Sequence, residues 1–277
     1  MSRSERGLAM VGRNFSGALT AELWRTAHAL ADAARPATLQ HFRSKALDVS
    51  SKNAKHFDPV TEADRAAEAA VRATLGQLRP MDGVLGEELG AQAGESGLTW
   101  VVDPIDGTRG FLSGTPTWGV LIALVDKEGP ILGVIDQPYI RERFWGGLGE
   151  AAVEGPSGRV ALATRAARGL DQATLYTTFP EIGTPAERAA FERVRDRAKL
   201  VRYGMDCYAY ALLAAGQIDL VIEAGLHPYD VQAPIAVIEA AGGLVTDWQG
   251  RPVHHGGEVI AAANPEIHAA ALELLNA

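Results

Sequence analysis

The chain has 277 residues, of which 47% are hydrophobic, and its formal net charge at pH 7 is −8. This length and apolar content suffice for a buried core, whereas the negative charge argues against nucleic acid as a bulk partner. The sequence contains no apolar run of about 18 residues that could cross a membrane, and its single cysteine, Cys207, permits no internal disulfide and fits a reducing compartment. We therefore expect a cytoplasmic protein.

The first half of the chain is predicted to form helices followed by a series of strands. A polar segment over residues 1–16 predicts a flexible N-terminus. The apolar spacing predicts helices over about 18–48 and 61–78. The other predicted elements of this half are strands near 99–103, 117–126, 130–136 and 142–146, with a turn and a short helix at 105–114.

The second half alternates strands with helices. The predicted strands are 173–178, 199–203, 218–223, 244–247 and 258–262, and the predicted helices are 185–198, 206–216, 229–241 and 265–275. Helices and then strands in one half, with alternation in the other, indicate a mixed α and β (α+β) fold. We expect a single unit of two packed lobes, about 17–155 and 156–277.

The most informative segment is residues 100–111, WVVDPIDGTRGF. An apolar strand ends there in two carboxylates, Asp103 and Asp106. Pro104 fixes φ and lacks an N–H, so the chain is expected to leave the strand at Asp103. Two crowded anions are costly to desolvate unless a cation joins them, and oxygen ligands select Mg²⁺ or a similar ion. The alternative is a solvated turn, because Asp, Pro and Gly all favour turns.

Further acid-bearing segments accompany this one along the chain. They are DPVTEADR (58–65), GEE (86–88) and YD (229–230), the last followed by EAAGG (239–243). Together with DPIDGT (103–108), their order and spacing resemble the inositol monophosphatase family of Mg²⁺-dependent, lithium-sensitive phosphomonoesterases. The resemblance extends from about Leu19 to Leu275.

The resemblance implies a layered αβαβα sandwich of the inositol monophosphatase/fructose-bisphosphatase type, with the active site between the lobes. It also implies two or three Mg²⁺ ions. Glu87, Asp103 and the backbone carbonyl of Ile105 would hold the first ion. Asp103 would bridge to a second ion, held also by Asp106 and Asp230, because metals about 3.5–4 Å apart need a shared anion. A third, weaker ion would share Glu87 and waters.

Phosphate binding is implied for the backbone N–H groups of Gly107 and Thr108, at the start of the short helix. The resemblance further implies that the Thr108 hydroxyl orients the attacking water and that Asp64 accepts its proton. Considered without the resemblance, Asp64 would instead be a helix-capping acid in a first turn.

Finer strings resemble the histidinol-phosphate phosphatase branch of this family. They are PVTEADR (59–65), DPIDGTRGF (103–111), GVIDQPYIRERFWG (133–146) and VRYGMDCYAYALLAAGQIDLVIEAGLHPYD (201–230). Substrate contacts are then implied for Arg109, Asp206 and Glu223. Two acids would favour the ammonium group of histidinol, although Glu223 also suits a sugar hydroxyl and Asp206 could cap the 206–216 helix. His227 departs from the lysine expected in this branch.

We therefore expect a phosphomonoesterase that hydrolyses L-histidinol phosphate. One alternative is inositol 1-phosphate or another small sugar phosphate as the substrate. An alternative from another class is a non-catalytic phosphate-binding regulator, but a degenerate relative would usually have lost a metal ligand, and the full acid set is present. The expected partner is a small phosphorylated metabolite, with no nucleic acid and no membrane. The resemblance also implies a homodimer.

Overall fold

A computed structural model of the protein describes residues 15–44, 49–53 and 56–277, with the backbone alone at 49–53 and 56–61. The helices are α1 (Gly17–His41), α2 (Glu62–Leu78), α3 (Thr108–Ser113), α4 (Pro185–Arg195), α5 (Asp206–Ala214), α6 (Pro228–Ala240) and α7 (Pro265–Leu275). A 3₁₀ turn covers Leu170–Gln172. The strands before it are β1 (Val49–Asn53), β2 (His56–Thr61), β3 (Gly83–Gly86), β4 (Gly90–Gln92), β5 (Thr99–Asp106), β6 (Gly119–Asp126), β7 (Gly129–Gln137), β8 (Glu142–Gly147), β9 (Glu150–Gly155) and β10 (Gly158–Ala161). The strands after it are β11 (Thr174–Thr177), β12 (Leu200–Tyr203), β13 (Leu220–Leu226), β14 (Leu244–Thr246) and β15 (Gly257–Ala262).

The strands of the first half build an eight-stranded sheet in the order β10-β9-β8-β7-β6-β5-β3-β4. Its neighbours are antiparallel except for β3 and β5, which are parallel. The central strands β6 and β7 are buried along most of their length. Their near-continuous apolar sequences follow from this position, because helices cover both faces of the sheet.

The strands of the second half build a five-stranded sheet in the order β12-β11-β13-β15-β14. The first three of these strands run parallel, and β15 is antiparallel to both of its neighbours. Parallel neighbours require crossover connections, which α4 and α5 supply. The alternation of strands and helices in the sequence reflects these crossovers.

Hydrophobic cores join the five layers of helices and sheets. One core joins α1 and α2 to the outer face of the eight-stranded sheet. A second fills the space between the two sheets, where α5 and α6 lie. The third joins the five-stranded sheet to α4 and α7. Helix α6 is buried at every position from Val231 to Ile238, as a helix enclosed between two sheets must be. The architecture is therefore the expected αβαβα sandwich.

The predicted elements agree with the observed ones within a few residues over most of the chain, but the region before residue 62 differs. The predicted helix 18–48 was too long, because α1 ends at His41. Phe42 is already extended and Arg43 has a φ of 59°, which no α-helix continues. Residues 1–14 of the predicted flexible N-terminus and residues 45–48 of the predicted helix lie outside the described residues.

Several short strands were not predicted. Strands β1 and β2 pair in antiparallel orientation, although VSSKN and HFDPVT show no clear apolar alternation. Strands β4 and β10 are fully exposed edge strands, so they carry no buried face for a sequence pattern to reveal. The expectation that the chain leaves its strand at Asp103 was also wrong, since β5 continues to Asp106 after a shift in register.

None of the helices in the described part of the chain is both long and apolar enough to cross a membrane. The division into lobes at residue 155 stays a prediction.

Candidate active site

Three carboxylates converge where the two sheets face each other. Asp103 and Asp106 lie at the end of β5 and Asp230 in the first turn of α6, and one oxygen of each lies within 4.8 Å of the other two. Side chains three positions apart in a regular strand point to opposite faces. The register of β5 against β6 shifts between Asp103 and Asp106, and Pro104 offers no N–H to the ladder there. This irregularity allows both acids to face one site.

Burial and mutual repulsion oppose ionisation in this group. Asp103 is 2% exposed, and its burial, followed by the charges of Glu87, Asp106 and Asp230, raises its pKa well above the ordinary value. Burial also raises the pKa of Asp106, and the nearby Asp230 carboxylate raises it further. Such a cluster is stable only when protons or a cation reduce its charge.

Fixed hydrogen bonds hold these acids in place. The backbone N–H of Cys207 donates to Asp106 at 2.6 Å, and the N–H of His227 donates to Asp230 at 2.7 Å. The N–H of Ile105 donates to Asp103 at 3.0 Å. Each carboxylate therefore keeps a defined orientation, and burial keeps the Cys207 thiol protonated by raising its pKa.

Glu87 follows β3, whose parallel partner is β5. It is not one of the three tightly grouped acids, but its charge is the strongest electrostatic influence on the pKa of Asp103. The carbonyl of Ile105 lies between the two strand-end acids in sequence and accepts a hydrogen bond from the Thr108 hydroxyl at 3.2 Å. Carboxylates and a carbonyl form the hard oxygen donor set that Mg²⁺ prefers, so the residues present fit this ion.

Gly107 begins the short helix α3 in a conformation that suits glycine. Its φ is 83°, and a Cβ at this position would lie 2.7 Å from the Cβ of Asp206. Because of both facts, any residue other than glycine would be strained at this position. The first N–H groups of a helix have no partner within it. Gly107 and Thr108 line the same cavity as the acids, and phosphate binding by their N–H groups stays a prediction.

Asp64 lies in the first turn of α2 and is 2% exposed. Its charge also raises the pKa of Asp103, which places it near the acid cluster. A solvated capping acid would be exposed, so burial argues against that alternative. Proton transfer between Thr108 and Asp64 stays a prediction.

A cavity of about 510 Å³ opens beside the acid cluster. Arg109, Asp206 and Glu223, the three residues expected to contact the substrate, all line it. Phe179 and Glu181, which were not predicted from the sequence, line the same cavity. They follow β11, which runs parallel to the strand of Glu223. Since parallel strands end at the same edge, their position after a strand was the signal that could have found them.

Asp206 does not cap its helix. The N-cap of α5 is Met205, and Asp206 has a φ of 46°. Its carboxylate accepts a hydrogen bond from the Thr117 hydroxyl at 3.0 Å instead. Burial raises the pKa of Asp206, while the Thr117 hydrogen bond and the Arg109 charge oppose that rise. The alternative of a capping role is therefore wrong, and the side chain faces the cavity.

Glu223 is buried in the cavity wall. Its two oxygens accept hydrogen bonds from the backbone N–H and hydroxyl of Thr178 and from the Tyr210 hydroxyl, the last at 2.9 Å. Burial raises its pKa to about 7, even though these hydrogen bonds lower it. Glu223 is thus poised to ionise near neutral pH. The guanidinium of Arg109 lies over the ring of Phe179, 4.7 Å from the centroid, at another side of the cavity.

Several known proteins are similar to this chain in sequence or in fold. A model of the inositol monophosphatase family matches residues 20–277. The chloroplastic bifunctional phosphatase IMPL2 of Arabidopsis thaliana is 44% identical over 260 residues, which cover 90% of this chain and 73% of that protein. A histidinol-phosphatase of Mycobacterium tuberculosis is 37% identical over 252 residues, covering 90% of this chain and 96% of that protein. Among solved structures, an inositol monophosphatase from Zymomonas mobilis has a TM-score of 0.82 and 39% identity, covering 95% of this chain and 100% of that one.

Proposed function

The chain belongs to the inositol monophosphatase family of phosphomonoesterases, and we propose that it is a Mg²⁺-dependent phosphatase of L-histidinol phosphate. The reaction consumes water and releases L-histidinol and inorganic phosphate. The observation that carries the substrate assignment is the charge of the cavity beside the acid cluster. The residues that bind metal and phosphate are proposed to have the same roles as in other members of the family.

Metal binding is proposed for Glu87, Asp103, Asp106, Asp230 and the carbonyl of Ile105, which together would hold two or three Mg²⁺ ions. Bound Mg²⁺ supplies neutralisation of the phosphate charge and a lowered pKa for water. The protein's own contribution is orientation. The hydrogen bonds from backbone N–H groups fix the carboxylates of Asp103, Asp106 and Asp230, so less freedom is lost when the ions bind.

The phosphate group is proposed to bind at the start of α3. The N–H groups of Gly107 and Thr108 would donate to its oxygens, and the absent side chain at Gly107 permits close approach. The Thr108 hydroxyl would orient the attacking water, and Asp64 would accept the proton that the water loses. Donation from the Thr108 hydroxyl towards Asp64 would require that hydroxyl to turn away from the Ile105 carbonyl, to which it now donates.

The alcohol part of the substrate would occupy the cavity between α3 and the end of β13. Three carboxylates beyond the metal ligands line it, those of Glu181, Asp206 and Glu223, whereas Arg109 is the single Arg or Lys among its described lining residues. L-Histidinol carries an ammonium group and an imidazole, so an excess of acids favours it over an uncharged polyol. The ring of Phe179 also lines the cavity, and the Arg109 guanidinium already lies over it.

A second candidate is the same chemistry on inositol 1-phosphate. The 39% identity with the Zymomonas mobilis inositol monophosphatase favours it, and Asp206 and Glu223 could accept hydrogen bonds from ring hydroxyls. The excess of acids over cations in the cavity makes the histidinol proposal the stronger one. We also propose, from the family relationship alone, that the protein is a homodimer, and, from its single cysteine, that it is cytoplasmic.

Replacing Asp206 by Asn tests the substrate proposal. Asn tolerates the positive φ of this position, and its amide oxygen can still accept the hydrogen bond from Thr117. The change therefore removes the negative charge and leaves the local structure nearly unchanged. We expect the KM for L-histidinol phosphate to rise about tenfold, while the KM for inositol 1-phosphate changes less than about twofold, as befits the loss of one charge-assisted contact. The control is Asp196→Asn, whose side chain is 65% exposed after α4. An equal effect of Asp206→Asn on both substrates would remove Asp206 as a charge partner.

A further inference from the structure

Glu68 is a fully buried acid that none of the roles above uses. It lies on α2, one turn after Asp64, and faces the turn between β3 and β4 that carries Glu87. We propose that Glu68 and Arg72, together called the α2 clamp, position Glu87 for metal binding. The inference rests on the proposed role of Glu87 as a metal ligand.

The Glu68 carboxylate holds the backbone immediately after Glu87. Its Oε2 accepts a hydrogen bond from the N–H of Glu88 at 2.8 Å. The N–H of Leu89 lies 3.2 Å from one carboxylate oxygen and 3.3 Å from the other, and donates to both. A charged acceptor makes such bonds stronger than a neutral one would. The two peptide groups that follow Glu87 are therefore fixed by one side chain.

Arg72 completes the clamp from the next turn of α2. Its Nε donates to Oε1 of Glu68 at 2.8 Å, and its guanidinium also donates to the carbonyl of Gly90. The ion pair compensates the buried charge of Glu68, which would otherwise be costly to desolvate. Arg65, three residues before Glu68 on the same helix, lies 3.6 Å from the Glu88 carboxylate. Helix α2 thus contacts the turn at three successive residues, Glu88, Leu89 and Gly90.

The contact before Glu87 is equally close. A Cβ on Gly86 would lie 2.0 Å from Oε1 of Glu68, so the carboxylate rests directly on the backbone at this position. Glu68 accordingly contacts the chain on both sides of Glu87. Only glycine allows this approach, which explains why a glycine precedes the two glutamates.

A ligand on a turn needs such support more than the other ligands do. Asp103 and Asp106 are fixed by a central strand and Asp230 by a helix, whereas the turn carrying Glu87 precedes the short, exposed edge strand β4. Loops of this kind hold a ligand less rigidly than helices or strands. The clamp connects the turn to α2, whose first turn carries Asp64. One helix therefore positions both the proposed proton acceptor and a metal ligand.

The test replaces Glu68 by Gln, which keeps the volume but removes the charge and presents an amide N–H₂ to one of the two donors. Binding of Mg²⁺ alone is measured by calorimetry, without substrate. Residues that orient metal ligands typically contribute 10- to 100-fold to metal affinity. We expect the Kd for Mg²⁺ to rise within this range, and kcat at saturating Mg²⁺ to fall less than about threefold. The readout is independent of which phosphomonoester is the substrate.

The matched control is Asp82→Asn. Asp82 is also a buried acid that pairs with an arginine, Arg79, and accepts a hydrogen bond from Trp100, but it precedes β3 and lies outside the metal site. This variant should lose stability and keep its Mg²⁺ affinity. Equal Mg²⁺ affinities for wild type, Glu68→Gln and Asp82→Asn would show that Glu68 is a purely structural acid and would overturn the proposal.

A measurement on the wild-type protein tests the proposal even if the Glu68→Gln variant does not fold. Hydrogen exchange of the Glu88 and Leu89 amides is followed in the metal-free enzyme. If the clamp orders the turn in advance, both amides exchange slowly without Mg²⁺. Rapid exchange that becomes slow only when Mg²⁺ is added would mean that the metal orders the turn, and the proposal would be wrong.

Discussion

Asp103 and Asp230 each place a carboxylate oxygen within 4.8 Å of the other, although one residue lies in a strand of the eight-stranded sheet and the other lies in the first turn of a helix between the sheets. The fold thus brings a buried and a half-buried carboxylate together against their repulsion. Active sites commonly store such unfavourable charge, because a bound cation relieves it. The proximity of these two residues is the structural basis for assigning a metal centre.

Asp103→Asn should remove most of the activity without unfolding the protein. The amide oxygen can keep the hydrogen bond from Ile105, and the change removes one charge from the cluster. We expect kcat/KM to fall at least about 1000-fold, since several kcal/mol of metal-derived stabilisation is lost. We also expect the metal-free variant to melt no lower than the metal-free wild type.

Thermal denaturation with and without Mg²⁺ completes this prediction. Wild-type Tm should rise with Mg²⁺ concentration, because the ion binds only the folded state, and EDTA should reverse the rise. The variant should show a much smaller shift. A full Mg²⁺-dependent shift combined with near-normal turnover would contradict the assignment of Asp103 as a ligand.

Gly107→Ala should impair turnover of every phosphomonoester. The backbone at this position would force alanine into the left-handed φ region, at a cost of about 1–2 kcal/mol. The added Cβ would also clash with Asp206. A displacement of about 1 Å at the phosphate site suffices for a 100-fold loss in kcat/KM. Steady-state kinetics on two unrelated phosphomonoesters measures the loss.

Gly149→Ala is the matched control for that change. Gly149 has the same φ of 83°, but a Cβ there meets nothing within 4 Å. It should lower stability by a similar amount and leave kcat/KM unchanged. If both variants lost activity equally, backbone strain rather than the phosphate site would explain the effect.

Tyr210→Phe should weaken substrate binding in a pH-dependent way. The Tyr210 hydroxyl donates to Glu223 and favours its ionised form. Because the pKa of Glu223 is about 7, losing this bond moves the pKa higher and leaves the side chain mostly protonated at neutral pH. We expect the KM for L-histidinol phosphate to rise about fivefold at pH 7, in line with one hydrogen bond.

The same KM ratio between variant and wild type should approach one as the pH rises above the new pKa, since Glu223 is then ionised in both enzymes. Comparing the two proteins at each pH cancels the titration of the substrate itself. A ratio that stays constant from pH 6 to pH 9 would show that Tyr210 acts by packing alone.

The residues of the proposed metal site were named from the sequence through its resemblance to a known family, and a local pattern marks only those acids that follow an apolar run ending at turn residues. Asp103 and Asp106 are an example, since the Pro and Gly beside them mark the end of a strand. The irregularity that turns both side chains to one site depends on pairing with β6. Such long-range pairing leaves no local pattern, so the continuation of β5 was missed.

Other features could not be predicted from the sequence, for different reasons. Asp206 could be an N-cap or a cavity residue by sequence, and only its φ and its Thr117 partner decide between them. Glu68 lies in an alanine-rich helix where an acid is usually solvated. Its burial depends on Gly86, a residue distant in sequence. Local spacing cannot reveal such contacts between separate elements.

The most direct test of the proposed function is phosphate release from L-histidinol phosphate and inositol 1-phosphate, measured side by side with Mg²⁺ and with an EDTA control. We predict a kcat/KM for L-histidinol phosphate at least about 100-fold higher, as two charge-assisted contacts would give, and no release from either substrate in EDTA. Equal or greater activity on inositol 1-phosphate would contradict the substrate assignment, and activity that survives EDTA would contradict the metal mechanism.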